Sequence, residues 1–323
     1  MQENYNYIQK ILHHLCLGNN IIKKTLFLFE CSFFKGKTDI RDKQHLFICG
    51  LPRSGTTALL INFNDTGKYA SLTYQDMPFI LSPNLSKLFL RSPEKVLIQR
   101  PHKDQIVYNI NSPEAFDEVF FNTFDETDIK KNFDVYVSLI LRKYDKSLYL
   151  SKNNNILNKI HLIKSIYKNS LFLIPFRDPL QHSYSLLLQH KNFLKLQKNN
   201  KFVTDYMNYL GHFEFGINHK SWYEPLKYKN FDDINYWLEQ WFLFYNKILL
   251  NFTKLDNLFV VNYDSICEDK KKFTQFLNSL DLDLKNIENL KLSHREINFV
   301  FDKSLFNECK KVYQNLFTIY NNY

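Results

Sequence analysis

Apolar positions along the chain follow two different periods. Residues 5–34, 132–147, 178–197, 233–254 and 304–321 repeat them at three- and four-residue spacing, which predicts helices with one buried face. The intervening runs at 45–50, 171–176 and 258–263 are apolar at nearly every position, with shorter candidates at 71–74 and 148–151. A strand without polar alternation is buried on both of its faces. The pattern therefore predicts an α/β fold, a three-layer sandwich whose central parallel sheet is covered by helices on both faces. In such sheets ligands bind beyond the carboxyl ends of the strands, so the loops after 45–50, 171–176 and 258–263 are the places to look for chemistry.

The first of these loops, Gly50-Leu-Pro-Arg-Ser-Gly-Thr-Thr57, joins a strand to a helix through a turn bracketed by two of the chain's 7 glycines. Gly50 and Gly55 permit a tight turn and a close approach of backbone to ligand. Amide groups at the start of the following helix, together with its dipole, favour phosphate or sulfate. The spacing approaches that of a P-loop, but Thr56 stands where the P-loop lysine belongs. That lysine reaches the β- and γ-phosphates of a nucleoside triphosphate, and a loop carrying Arg53 instead is poorly suited to kinase or NTPase chemistry.

The second loop follows 171–176 and reads Arg177-Asp-Pro-Leu-Gln-His-Ser-Tyr-Ser185. Asp178 is a good N-cap and Pro179 a good first helical residue, so Arg177 sits at the end of the strand. Ser185 lies about two helical turns beyond the cap, on the same face, where its hydroxyl and the Arg177 guanidinium converge on one phosphate.

These segments resemble the signatures of the sulfotransferase superfamily that uses 3′-phosphoadenosine-5′-phosphosulfate (PAPS). Pro52 to Thr57 is similar to the 5′-phosphosulfate loop, and Arg177 with Ser185 to the 3′-phosphate motif. The strand Leu258-Phe-Val-Val-Asn-Tyr-Asp264 resembles the segment whose tyrosine lies by the adenine, here Tyr263, with Asp264 and Ser265 following it. Tyr149-Leu-Ser-Lys152 falls where tyrosylprotein-type sulfotransferases carry a lysine that contacts the transferred group, which assigns that role to Lys152. Arg100 to Asp104, Ser112 to Phe116 and Tyr209 to Gly216 look like stretches of bacterial sulfotransferase-like proteins. The matching pieces span roughly residues 45–270, in the family's order.

The resemblance implies transfer of a sulfuryl group from PAPS to a hydroxyl or amine acceptor by in-line displacement, with no metal required. It assigns the phosphosulfate to Arg53, Ser54, Gly55, Thr56 and Thr57, the 3′-phosphate to Arg177 and Ser185, and charge stabilisation to Lys152. The base falls first to Asp76, close to where tyrosylprotein-type enzymes carry a catalytic glutamate, and second to His102, which has Asp104 near it. His212, Glu214 and His219 match no zinc spacing and read as structural or acceptor-side groups. The acceptor is expected to be chosen by 76–130 and 195–232, which lack a decodable motif; sugars, lipids, peptides and small metabolites all remain open.

Composition bounds the rest. The chain has 323 residues, 45% of them hydrophobic and 16% aromatic, enough for one domain with a sizeable core; residues 1 to about 40 are expected to form a helical extension of it. A balance of 42 basic against 33 acidic residues gives +9, which suits an anionic nucleotide ligand. The lysines are spread along helices without a stripe, so nucleic acid is not an expected partner. Cysteines 16, 31, 49, 267 and 309 are odd in number and form no C-x-x-C pair, so reduced thiols are expected. With no leader pattern and no apolar run of about 18 residues, a cytoplasmic protein without a membrane span is the expectation. Two other function classes remain as rivals: a nucleoside-triphosphate-dependent kinase or NTPase, and a nucleotide-binding protein without catalysis.

Overall fold

The computed structural model describes residues 5–89, 98–99, 107–292 and 294–323. The chain opens with α1 (Tyr7–Leu17) and α2 (Asn20–Phe33). The single helix expected over 5–34 is divided because Gly18 ends α1 and Asn19 caps α2, its side chain accepting from the Ile21 amide at 2.7 Å. Next come β1 (Leu46–Ile48), α3 (Thr56–Asn64), β2 (Tyr69–Ala70), α4 (Pro83–Phe89), and the hairpin partners β3 (Ile98–Gln99) and β4 (Val107–Tyr108). They are followed by α5 (Glu118–Thr123), α6 (Glu126–Tyr144), β5 (Leu148–Lys152), α7 (Ile160–Ile166) and β6 (Leu171–Phe176). The chain continues through α8 (Pro179–Asn199), α9 (Lys201–Leu210), α10 (Ile234–Asn251) and β7 (Leu258–Asn262). It closes with α11 (Tyr263–Glu268), α12 (Lys270–Ser279) and α13 (Lys303–Asn321).

Five strands form an all-parallel sheet in the order β2-β5-β1-β6-β7, as the near-continuous apolar runs predict. All six residues of β6 are buried, and since successive side chains point to opposite faces, both faces of the sheet are covered there. Each fully buried Leu, Ile or Phe along it contributes about 1.5–3 kcal/mol of transfer free energy. Trp237 and Trp241, four apart on α10, are wholly buried in the core. None of the described helices is long and apolar enough to cross a membrane.

One strand lies elsewhere than expected. The segment 71–74 does not join the central sheet; Tyr69 and Ala70 do, against Leu148 and Tyr149. Residues 72–75 instead lie against 110–114, with the Glu114 amide on the Leu72 carbonyl at 3.1 Å and the Tyr74 amide on the Ser112 carbonyl at 3.3 Å. A period-two pattern reports that a segment is extended but not which edge it pairs with.

Candidate active site

The loop after β1 is a left-handed turn held from outside. Arg53 has φ +73° and Gly55 φ +103°. A non-glycine residue in this region costs about 1–2 kcal/mol, so other contacts must fix the conformation. Ser54 Oγ donates to the Leu51 carbonyl at 2.8 Å, and an Arg177 Nη donates to the Arg53 carbonyl at 3.3 Å. His182 Nε2 donates to the Pro52 carbonyl at 2.8 Å. Burial, with the Arg177 and Arg53 charges adding to it, pushes the His182 imidazole down to about 3, so the ring is neutral and its Nε2–H serves as a fixed pin. A Cβ at Gly55 would lie 2.2 Å from the Tyr263 ring, which explains why glycine stands there.

Residues far apart in the chain meet on this loop. Arg53 Nε donates to Ser185 Oγ at 3.2 Å, across 132 residues. Arg177, one residue past β6, donates to Asp264 at 3.2 Å and lies 5.9 Å from the centre of the Tyr263 ring. The other Asp264 oxygen accepts from the Asp178 amide at 2.8 Å, while Asp178 caps α8 by accepting from the Leu180 and Gln181 amides at 3.0 and 2.8 Å. Arg53, Arg177, Ser185 and Tyr263 thus form one cluster at the carboxyl ends of β1, β6 and β7. Parallel register is the cause: Ile48 pairs with Leu173 and Phe176 with Asn262, so every strand ends at the same edge.

A cleft of ≈ 80 Å³ opens beside the loop, with Arg53, Thr56 and Thr57 on one wall. Lys152 lines it too because Ile48 and Lys152 are register partners and the Asn153 amide reaches the Ile48 carbonyl at 3.0 Å. Its Nζ meets Glu114 Oε1 at 3.3 Å, both side chains being more than nine-tenths buried. Glu114 also accepts from the Ala115 amide at 2.9 Å and from the Tyr74 hydroxyl at 3.2 Å. Phe193, Met207, Leu210 and Phe215 supply an apolar wall, and His212 and Glu214 also face the cleft.

Asp76 lies elsewhere. It is fully buried, accepts from Lys143 Nζ and from the Tyr144 hydroxyl, each at 2.5 Å, and closes a capping box with Thr73. It does not line the cleft. Arg177, Ser185, Tyr263, Ser54 and Gly55 also stand outside its lining and belong to the loop cluster behind it. His102 and Asp104 lie outside the described residues. His219 is packed among Phe231, Trp237 and Tyr236 with ring centres 4.9–5.6 Å away, and burial lowers its imidazole to about 4.

Sequence reasoning passed over Glu114, although it singled out the stretch Ser112 to Phe116, and it left His182 unassigned. Asp264 was noted only as a neighbour of Tyr263, yet it holds both Arg177 and the start of α8. No spacing singles out Glu114, because its lysine partner is 38 residues away.

No family model and no curated protein matches the chain. Solved structures to which it is similar include three sulfotransferases. STF9 from Mycobacterium avium shares 13% identity over 94% of this chain and 83% of its own, with a TM-score of 0.48. STF1 from Mycobacterium tuberculosis H37Rv shares 12% over 98% and 84%, also at 0.48. The sulfotransferase domain from the curacin biosynthetic pathway shares 13% over 85% and 98%, at 0.43.

Proposed function

We propose that this chain is a sulfotransferase that moves the sulfuryl group of PAPS to an acceptor hydroxyl or amine, with Glu114 as the base. The observation that supports this reading best is the cleft in which Lys152 and Glu114 face Arg53, Thr56 and Thr57, the segment resembling a phosphosulfate loop. Arg53, Thr56, Thr57 and the first amides of α3 would hold the phosphosulfate oxygens; Arg177 and Ser185 would hold the 3′-phosphate. Tyr263 would stand beside the adenine.

In the transfer step the acceptor oxygen attacks sulfur and gives its proton to the Glu114 carboxylate. The bond from sulfur to the bridging oxygen breaks, and the electron pair stays on the phosphate of adenosine 3′,5′-bisphosphate. Lys152 Nζ offsets the charge that develops on that oxygen. The near-complete burial of both groups favours a strong effect, since a water-poor site screens charges weakly. Asp76 is poorly suited to the base role because it is fully buried and does not line the cleft, whereas Glu114 does.

Thermal unfolding in metal-free buffer tests the reading. A ligand that binds only the native state adds about 2.7 kcal/mol at a hundred times its Kd. Adenosine 3′,5′-bisphosphate should raise Tm clearly, and AMP or ATP with magnesium should do so far less. An equal response to AMP and the bisphosphate would remove the 3′-phosphate site from the reading, and a response to ATP with magnesium alone would favour a kinase or NTPase.

A further inference from the structure

A second cavity, of ≈ 220 Å³, adjoins the cleft, and Asn154 and Glu214 line both. Its walls come from the turn after β5, from α5, and from the segment 211–223. Four side-chain amides face it, those of Asn122, Asn154, Asn155 and Asn158, with the carboxylates of Glu118 and Glu214 and the ammonium of Lys220. Trp222, Tyr223 and Phe213 add aromatic surface. We propose that this cavity is the subsite for a neutral saccharide unit of the acceptor, a proposal that deepens the sulfotransferase reading and takes from it only the direction of transfer.

The chemistry of the walls selects among acceptor classes. A sugar hydroxyl donates and accepts at once, and a side-chain amide does the same, so four amides around one small space match a polyol. The two carboxylates accept from hydroxyl groups and, outnumbering the Lys220 ammonium, disfavour a phosphorylated or sulfated unit. An aliphatic or phenolic group would leave the amides without partners. Asn154 already shows this need: it is 8% exposed, its Nδ2 reaches Glu214 Oε1 at 3.4 Å, and its Oδ1 is buried with no hydrogen-bond partner among the described residues. A sugar ring also presents a C–H face, and the indole of Trp222 offers a flat apolar surface for it. That indole is positioned in advance, because the Trp222 amide donates to Gln240 Oε1 at 2.8 Å and the Gln240 side chain is itself buried on α10.

The apolar wall of the cleft complements this arrangement. One end of the acceptor would rest on Phe193 and Met207 near Lys152, and its sugar would extend past Asn154 into the second cavity.

Tryptophan fluorescence of the full chain tests the proposal. Trp237 and Trp241 are fully buried, so Trp222 is the indole that an occupant of this cavity touches. Neutral di- and trisaccharides of glucose, galactose and N-acetylglucosamine would be titrated, with octanol and phenol as apolar controls, with and without adenosine 3′,5′-bisphosphate. At least one saccharide should give a saturable change that disappears in Trp222→Phe. Asn154→Ala and the more exposed Asn122→Ala should each weaken that binding by roughly threefold to tenfold, the usual scale for one hydrogen bond. Should Asn154→Ala fail to fold, Asn122→Ala alone carries the comparison. Saturation by octanol or phenol without any saccharide response overturns the proposal, as does an absent saccharide response or a saccharide Kd unchanged in the folded Asn variants. Saccharide binding without bisphosphate binding would leave this subsite standing and remove the donor reading.

Discussion

Two buried lysine–carboxylate pairs among the described residues differ in what they face. Lys143 and Asp76 meet at 2.5 Å with side-chain exposures of 3% and 0%, enclosed by Thr73, Tyr144 and Ser86. Lys152 and Glu114 meet at 3.3 Å with exposures of 8% and 7%, and both line the cleft beside the β1 loop. In the first pair the Asp76 oxygens receive Lys143 Nζ, the Tyr144 hydroxyl and the Thr73 amide, so the ions are consumed by holding the 74–76 turn against α6. In the second, the longer contact and the open side leave the ammonium and carboxylate directed at a space where a substrate fits. Burial and pairing alone do not distinguish a structural ion pair from a reactive one; access does.

The largest effect that would sharpen the comparison belongs to Glu114. Glu114→Gln keeps the shape and the Ala115 contact but removes the base, so turnover with an accepted alcohol should fall by on the order of 10²–10⁴. Affinity for adenosine 3′,5′-bisphosphate should stay within a few-fold. Wild-type turnover in this variant, under conditions where chemistry limits the rate, would break the comparison from this side.

Asp76→Asn is the matching test of the other pair. Removing one partner of a buried ion pair typically costs about 3–5 kcal/mol, because the Lys143 charge is left uncompensated. The unfolding free energy from urea denaturation should drop by that amount, with per-molecule turnover of the folded fraction little changed. The opposite outcome, normal stability with turnover lost, would return the base to Asp76.

How much of this could be read from the chain depends on the range of each interaction. The strand at 171–176, the Asp178 cap and the Pro179 start of α8 are local, and they appear where spacing placed them. The two strand-to-helix motifs end at one edge of a parallel sheet, which brings Ser185 to Arg53, whereas the sequence reading pairs Ser185 with Arg177. The choice between Asp76 and Glu114 was not legible. Asp76 directly follows the segment 72–75 and Glu114 ends its partner 110–114, and which of them turns toward the cleft is set by where α6 brings Lys143 and where β5 brings Lys152. Those are tertiary facts with no sequence period.

A third, smaller test lies behind the cleft. Arg177 is held by Asp264 and by the Arg53 carbonyl, so its guanidinium is oriented before any nucleotide arrives. Arg177→Ala should weaken bisphosphate binding by roughly 1.5–3 kcal/mol, as expected for a charged contact. Isothermal titration should find AMP binding less affected, since AMP lacks the 3′-phosphate. If both ligands weaken equally, Arg177 acts by shaping the loop through the Arg53 carbonyl.

Ser185→Ala carries the smallest effect and separates the two arginines. In the structure Ser185 Oγ receives Arg53 Nε at 3.2 Å, so the hydroxyl stands between the proposed 3′-phosphate site and the proposed phosphosulfate site. If it binds the 3′-phosphate, the alanine variant should lose about 0.5–1.5 kcal/mol of bisphosphate affinity, one hydrogen bond's worth, with AMP affinity unchanged. If its task is to steer Arg53 across the cleft, bisphosphate affinity should hold while turnover falls, because Arg53 would then be free to leave the wall it shares with Thr56 and Thr57. Measuring binding of both nucleotides and turnover on this one variant therefore decides whether the residue belongs to the nucleotide's ribose end or to the end where the sulfuryl group is transferred.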